Sequence, residues 1–449
     1  MTRDALPAAT LRPPRPAAAE VELDIVDLSH DGRGVGRVDG KAVFVAGALA
    51  GERVRVRLQR RRKSFDEAEL LEVLSPSPQR VEPGCAHFGR CGGCALQHLD
   101  PAAQILAKQR VLLENFERIG HVQPQAVLPP LVAASWGYRR KARLGVKFVR
   151  KKQRVLVGFR EAADPRFIAD IDRCEVLVPE VGTRLAELAA LIETLDARER
   201  IAQIEVARGD DSTALVFRNL DPLGPDDTSR LIAFGRAHDL AIFLQPGGND
   251  SVHPLWPEHP RLAFRIPSAD VELEFRPLDF VQINAGLNLQ MIERALELLD
   301  PRPDDRVLDL FCRLGNLSLP IDRRAAEVVG VEGDAGLVQR ARDNAARNGI
   351  GNARFHAADL AGPLAGEAWL HERYDLALLD PPRTGAEAVI AQLPTAGIRR
   401  LLYVSCHPGS LARDAGLLVR EHGFRLTRAG VMDMFPHTAH VESIALFER

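Results

Sequence analysis

No stretch of this sequence approaches the ~20 consecutive apolar residues that a membrane-spanning helix requires. The opening segment, MTRDALPAATLRPPRPAAAE, lacks the apolar core of a secretory signal, and its Pro and Ala content predicts a loose tail over residues 1–17. Both absences point to a cytoplasmic location without membrane contact. Net charge is nearly absent as well. Lys and Arg number 59 against 61 Asp and Glu, so the bulk charge of −2 predicts no polyanion partner. No internal repeat or long low-complexity segment occurs, and a full G-x-G-x-x-G is missing, which weakens a dinucleotide reading. Cysteines are few: Cys85, Cys91, Cys94, Cys174, Cys312 and Cys406. In a reducing compartment their default roles are metal binding, catalysis or packing, not disulfides.

What is present is local. Arg53, Arg55, Arg57, Arg60, Arg61, Arg62 and Lys63 form one basic run without an acid. Arg139, Arg140, Lys141, Arg143, Lys147, Arg150, Lys151, Lys152 and Arg154 form another. Two such runs on a neutral chain point to nucleic-acid contact over a merely solvated face. A globular composition, 46% hydrophobic and 27% charged over 449 residues, fits two or three domains.

Short strands separated by Gly and Asp turns (VELDIVDLS, GVGRVDG, KAVFVAG, ERVRVRLQR, EAELLEVL) predict a small β-barrel at 18–76. The central region, 77–279, begins with a linker and a cysteine cluster. A helix follows, with Ile105, Leu106, Leu112, Leu113 and Phe116 near one face. Beyond it, ARLGVKFV, RVLVGFR, IAQIEVARG, TALVFRN and AIFLQPGG suggest an antiparallel sheet of an α+β domain. From 280 to 449 strands and helices alternate, which predicts a doubly wound, mostly parallel α/β sheet of Rossmann-like type.

Cys85, Cys91 and Cys94 form C-x5-C-x2-C with Gly89, Gly92 and Gly93 among them, and Cys174 is the natural fourth ligand. Four thiolates suit an iron–sulfur cluster or zinc, and spacing does not separate the two. The C-x3-C-x2-C triplet of radical-type clusters is absent. In the C-terminal region four strands end in acids: Asp309 before a turn with Gly315 and Asn316, then Glu332, Asp359, and Asp380 in DPPR. Ligands bind at the carboxyl ends of such strands, so four acids there point to a nucleoside cofactor although each alone suits a helix cap. Cys406 follows a strand and precedes a helix, among turn residues unlike those around a packed core thiol. A helix N-terminus and nearby Arg are expected to lower its pKa and make it a nucleophile. His437, His440 and Glu442 lie on the last segment, where a carboxylate suits proton removal.

Taken together, FVQIN (280–284), DLFCRLGNLSLP (309–320), DPPR (380–383), SCHPGSLARD (405–414), MFPHTAHVES (434–443) and YRRKAR (138–143) resemble the RNA uracil-C5 methyltransferases. The resemblance implies that S-adenosylmethionine methylates carbon 5 of a uracil. Cys406 would be the nucleophile and Glu442 the base. Gln282, Phe311, Asn316, Glu332, Asp359 and Asp380 would line the cofactor site. Cys85, Cys91, Cys94 and Cys174 would hold a [4Fe–4S] cluster. The barrel would be of the TRAM type, and 97–128 would pack on the catalytic domain. A barrel joined to four cysteines is similar to the branch of the family that acts on 23S ribosomal RNA, as a monomer; a transfer-RNA substrate, or an inactive RNA-binding assembly factor, is the rival. Two departures stand out: Arg313 where the family has glycine, and His407 in SCHP for the commoner SCNP. The Arg313 side chain is expected to point away from the cofactor, toward solvent or RNA, and to contribute little to cofactor affinity.

Overall fold

The alternation in Arg53–Arg61 places Val54, Val56 and Leu58 inward, the Val residues wholly buried. These side chains join Leu23, Ile25, Val43, Val45 and Ala68 in a small core. Around it the strands Glu20–Leu28, Gly34–Val38, Lys41–Val45, Phe65–Ser75 and Arg53–Arg61 close a five-stranded barrel in that order. A computed structural model describes residues 19–393 and 395–449, so the tail expected at 1–17 lies outside the described residues. The chain divides into two compact units after Arg80.

The basic run of the barrel is acid-free only along the chain. Across the sheet Arg55 meets Glu72 at 2.6 Å and Glu22 at 3.2 Å, and Arg57 meets Glu20 at 2.9 Å. The expectation of a bare cationic patch is therefore corrected: strand pairing brings acids that linear distance hides. The second run is matched in the same way, with Arg150 on Glu199 at 2.6 Å and Lys152 on Asp170 at 3.2 Å. Such exposed pairs add little to stability, because water and salt screen them.

The second unit holds two larger sheets. In one, His253–Trp256, Leu240–Leu244, Thr213–Asn219, Ile201–Arg208, Lys141–Val149 and Arg154–Gly158 lie in that order. The expected antiparallel sheet is interrupted once. Thr213–Asn219 and Leu240–Leu244 run parallel, because the helix Pro225–His238 crosses between them. In the other sheet five parallel strands, Ala353–Ala357, Glu327–Glu332, Arg306–Leu310, Leu376–Leu379 and Arg400–Ser405, are followed by Glu442–Glu448, which runs against them, and then by Arg425–Met432, which is antiparallel to Glu442–Glu448 and so runs with the five. Ala126–Val127 pairs with the last of these and extends the sheet from the N-terminal side of the unit.

The helix Pro101–Asn115 packs on one face of this sheet. Ile105, Leu112 and Phe116 share a core with Leu308, Leu310 and Tyr403. Leu106 does not join that face and is 57% exposed. Its place in the buried stripe is taken by Gln104 and Lys108, 1% and 2% exposed.

Candidate active site

Parallel strands aim their carboxyl ends at one edge, and the loop after Arg306–Leu310 is shaped there. Phe311, Arg313 and Gly315 have φ of 64°, 53° and 96°. Glycine adopts this left-handed region freely, whereas each other residue pays of order 1 kcal/mol or more. The turn, which glycine would suit, is built here with arginine. The Phe311 N–H donates to the Val331 carbonyl at 2.8 Å, and the Glu332 carboxylate accepts from the N–H groups of Arg313 and Asp334, both at 3.1 Å. Glu332 thereby braces the loop from the neighbouring strand.

A pocket opens over this loop. Gln282, Phe311, Asn316 and Asp380 line it, together with Asp309, Phe280 and Arg313. Asn316 exchanges amide hydrogen bonds with Asn288 at 2.9 and 3.0 Å. Asp309 is buried and accepts from the Ser318 hydroxyl at 2.5 Å; burial pushes its carboxyl up to about 7. Asp359 does not line this pocket. It is exposed, and its carboxylate accepts from the Ala361 N–H at 3.0 Å, closing a turn; no helix starts there for it to cap.

Arg313 overturns its expectation. Its guanidinium lies 3.3 Å from the Asp380 carboxylate and 3.7 Å from the centre of the Phe280 ring, and its side chain is 19% exposed. An ion pair and a stacked aromatic face outweigh hydration, so the side chain turns into the pocket.

The nucleophile and base candidates meet across two strands. Ser405 pairs with Ser443 in the antiparallel ladder of Arg400–Ser405 and Glu442–Glu448, which makes Cys406 and Glu442 the next opposed positions. Cys406 immediately precedes His407, whose side chain caps the helix Pro408–Arg420 by accepting from the Ser410 N–H at 3.1 Å. Burial pushes the Cys406 thiol up, reinforced by Glu442 and Asp380; Arg383 and Arg313 oppose this without cancelling it. The lowered thiol pKa read from the sequence is therefore corrected. That reading had counted a helix N-terminus and nearby Arg but not burial, the largest cause. Burial, then Asp380, push Glu442 up to about 8, against Arg313, Arg383 and Lys108. His437 and His440 are both held down to about 4, chiefly by burial, and are neutral near pH 7.

The sequence reading missed what holds this segment. The Lys108 ammonium donates to Asp433 at 2.6 Å and to the Phe435 carbonyl at 3.0 Å. The Gln104 side chain accepts from the His437 N–H at 3.0 Å, and the His437 carbonyl accepts from Ala95 and Leu96 at 2.8 and 2.9 Å. Trp136 stacks on the His437 ring at 4.1 Å. The available signal was an i, i+4 polar pair inside an otherwise apolar helix stripe.

Cys85, Cys91, Cys94 and Cys174 all line a second pocket, walled by Phe88, Phe159 and Ile171. Burial pushes Cys94 up to about 12 and Cys174 up to about 11. A Cβ on Gly93 would come within 3.2 Å of Phe159 and 3.5 Å of the Cys91 sulfur, so glycine lets the backbone close around the thiols. Among the described residues, no three His, Cys, Asp or Glu side chains form a ligand set for a single metal ion. No helix among them is long and apolar enough to cross a membrane.

A C-terminal α/β sheet with an opposed thiol and carboxyl at its edge is the arrangement of a methyltransferase that works through covalent catalysis, and the chain belongs to the RNA uracil-C5 methyltransferase family. The family model described as tRNA (Uracil-5-)-methyltransferase matches residues 261–449, and that of the TRAM domain matches 18–71. The chain is 60% identical over 428 residues to 23S rRNA (uracil(1939)-C(5))-methyltransferase RlmD of Xanthomonas campestris pv. campestris, covering 95% of this chain and 96% of that one. It is 57% identical to the protein of the same name from Stenotrophomonas maltophilia, over 431 residues, 95% of this chain and 97% of that one. In fold it is similar to Pyrococcus abyssi tRNA (uracil-54, C5)-methyltransferase in complex with S-adenosyl-L-homocysteine. There the TM-score is 0.72 at 22% identity, over 95% of this chain and 100% of that one.

Proposed function

We propose that this protein transfers a methyl group from S-adenosylmethionine to carbon 5 of a uridine in 23S ribosomal RNA, the position that its relatives' name gives as 1939. The single observation that carries the chemistry is the opposition of Cys406 and Glu442 beside the pocket edged by Asp380. Carbon 5 of uracil is too weak a nucleophile to attack a methyl sulfonium unaided. The Cys406 thiolate adds at carbon 6, and the ring becomes an enolate. Carbon 5 then takes the methyl group, which S-adenosylmethionine supplies when bound. Glu442 removes the carbon 5 proton, and the thiolate leaves as the double bond re-forms. Gln282, Phe311, Asn316 and Asp380 hold the cofactor in this reading, and Glu332 and Asp359 border it from the neighbouring strand ends.

The reaction needs an unstacked base, at a cost of a few kcal/mol. RNA contacts by the barrel (18–76) and the central region (77–279) offset that cost, while 280–449 carries the chemistry. The protein works as a monomer in the cytoplasm. The test of the substrate is methylation of purified 23S ribosomal RNA and transfer RNA, with 5-methyluridine mapped by mass spectrometry. Methylation confined to one uridine of 23S RNA is the expected result; methylation of transfer RNA alone would replace the substrate.

The four thiols fit a [4Fe–4S] cluster. All are soft donors, they stand around one apolar pocket, and the raised pKa values of Cys91, Cys94 and Cys174 mean that these sulfurs need a bound cationic centre to be thiolates. With all four positions taken the cluster would be structural. Anaerobically purified protein should be brown, with iron and sulfide in comparable amounts, and Cys174→Ser should lose iron and solubility. Stoichiometric zinc without sulfide would overturn this assignment.

A further inference from the structure

Arg313 reaches into the pocket that the proposed function gives to the cofactor. Asp309 and Asp380 are the two acids lining that pocket among the described residues. Asp309 is occupied by the Ser318 hydroxyl. Asp380 is instead faced by Arg313, at 3.3 Å from its carboxylate and 3.5 Å from its backbone carbonyl. The pair is loose by the standard of charge-assisted hydrogen bonds, which close to about 2.7–2.9 Å. The other face of the guanidinium rests on Phe280, itself 48% exposed, so the side chain sits at the rim with a path to solvent.

S-adenosylmethionine carries a sulfonium and an ammonium against one carboxylate. A net cation must therefore enter a pocket that already holds one. We propose that Arg313 gates this pocket: clamped between Asp380 and Phe280, it competes with the positive charge of the cofactor for the Asp380 carboxylate, and the cofactor enters by displacing it. The inference rests on the proposed assignment of the pocket to S-adenosylmethionine. It makes the gate sensitive to cofactor charge, because S-adenosylhomocysteine lacks the sulfonium and competes less directly for the same carboxylate.

The test is calorimetric binding of S-adenosylmethionine and S-adenosylhomocysteine to the full-length wild type, Arg313→Gly and Arg313→Lys. Glycine suits the φ of 53° at this position, so the first variant should fold, and its melting transition verifies that. Arg313→Gly should bind S-adenosylmethionine about tenfold more tightly and S-adenosylhomocysteine by no more than about threefold. Its KM for S-adenosylmethionine should fall along with the dissociation constant. Arg313→Lys keeps the charge and should keep the wild-type preference between the two ligands. Unchanged or weaker binding of S-adenosylmethionine by folded Arg313→Gly would overturn the gate while leaving the pocket assignment intact. Failure of all three proteins to bind either ligand would overturn both.

Discussion

Cys406→Ala should lose turnover by a factor on the order of 10⁴ or more, because no other group in the site can form the bond to carbon 6. Cys312 is the only other thiol near the pocket among the described residues. It is buried, and burial holds its pKa well above that of an ordinary thiol, so it packs and does not attack. Glu442→Gln should fail differently. Addition and methyl transfer still occur, but the carbon 5 proton has no acceptor, so the methylated base stays bound to Cys406. A protein–RNA band that survives denaturation and requires S-adenosylmethionine to carry the methyl label is expected from Glu442→Gln and not from Cys406→Ala. A 5-fluorouridine RNA should trap the wild type in the same way. In the wild type the release step should rise with pH. The Glu442 carboxyl, pushed up to about 8, is mostly protonated at pH 7 and becomes a base as pH climbs through that value. Single-turnover release measured from pH 6 to 9 should therefore increase and then level off. A full-strength covalent band from Cys406→Ala would mean that the nucleophile is elsewhere.

The parts of this protein written in local pattern were legible without coordinates. Alternating Val and Arg foretold the barrel strand, and acids at successive strand ends marked the edge where the pocket lies. What escaped depends on contacts between distant segments. Linear distance hid the glutamates that neutralise Arg55 and Arg57, since sheet pairing supplies them. A single crossover helix turned one pair of central strands parallel, and the apolar pattern of a buried strand is the same in either direction. The Arg313 side chain was expected to point toward solvent or RNA. Asp380, 67 residues away, and Phe280, on another segment, decide its place. The thiol pKa failed for a similar reason: a helix N-terminus and nearby Arg were visible in the sequence, while burial was not.

Lys108→Met should cost about 3–5 kcal/mol of stability, although residue 108 lies 298 positions from the catalytic thiol in sequence. The ammonium is 2% exposed and bonded to Asp433, whose side chain is 12% exposed. Removing one partner leaves the other charge buried and unmatched, and that penalty is larger than the net worth of the intact pair. The double variant Lys108→Met, Asp433→Leu should therefore recover part of the loss, because both charges leave together. Burial lowers the pKa of the Lys108 ammonium, and Asp433 opposes that shift. The charge also acts on the base: Lys108 is one of three cations that oppose the upward shift of Glu442. Both variants should then move the pH dependence of adduct release to higher pH, a change that lost packing alone would not produce. Gln104 gives the comparison. Gln104→Leu removes the hydrogen bond to the His437 backbone without removing a charge, so it should destabilise the protein but leave that pH dependence in place. Chemical denaturation and single-turnover release on the same preparations separate the two effects. If Lys108→Met kept wild-type stability and an unshifted release profile, the buried pair would carry neither the fold of this segment nor the tuning of its base.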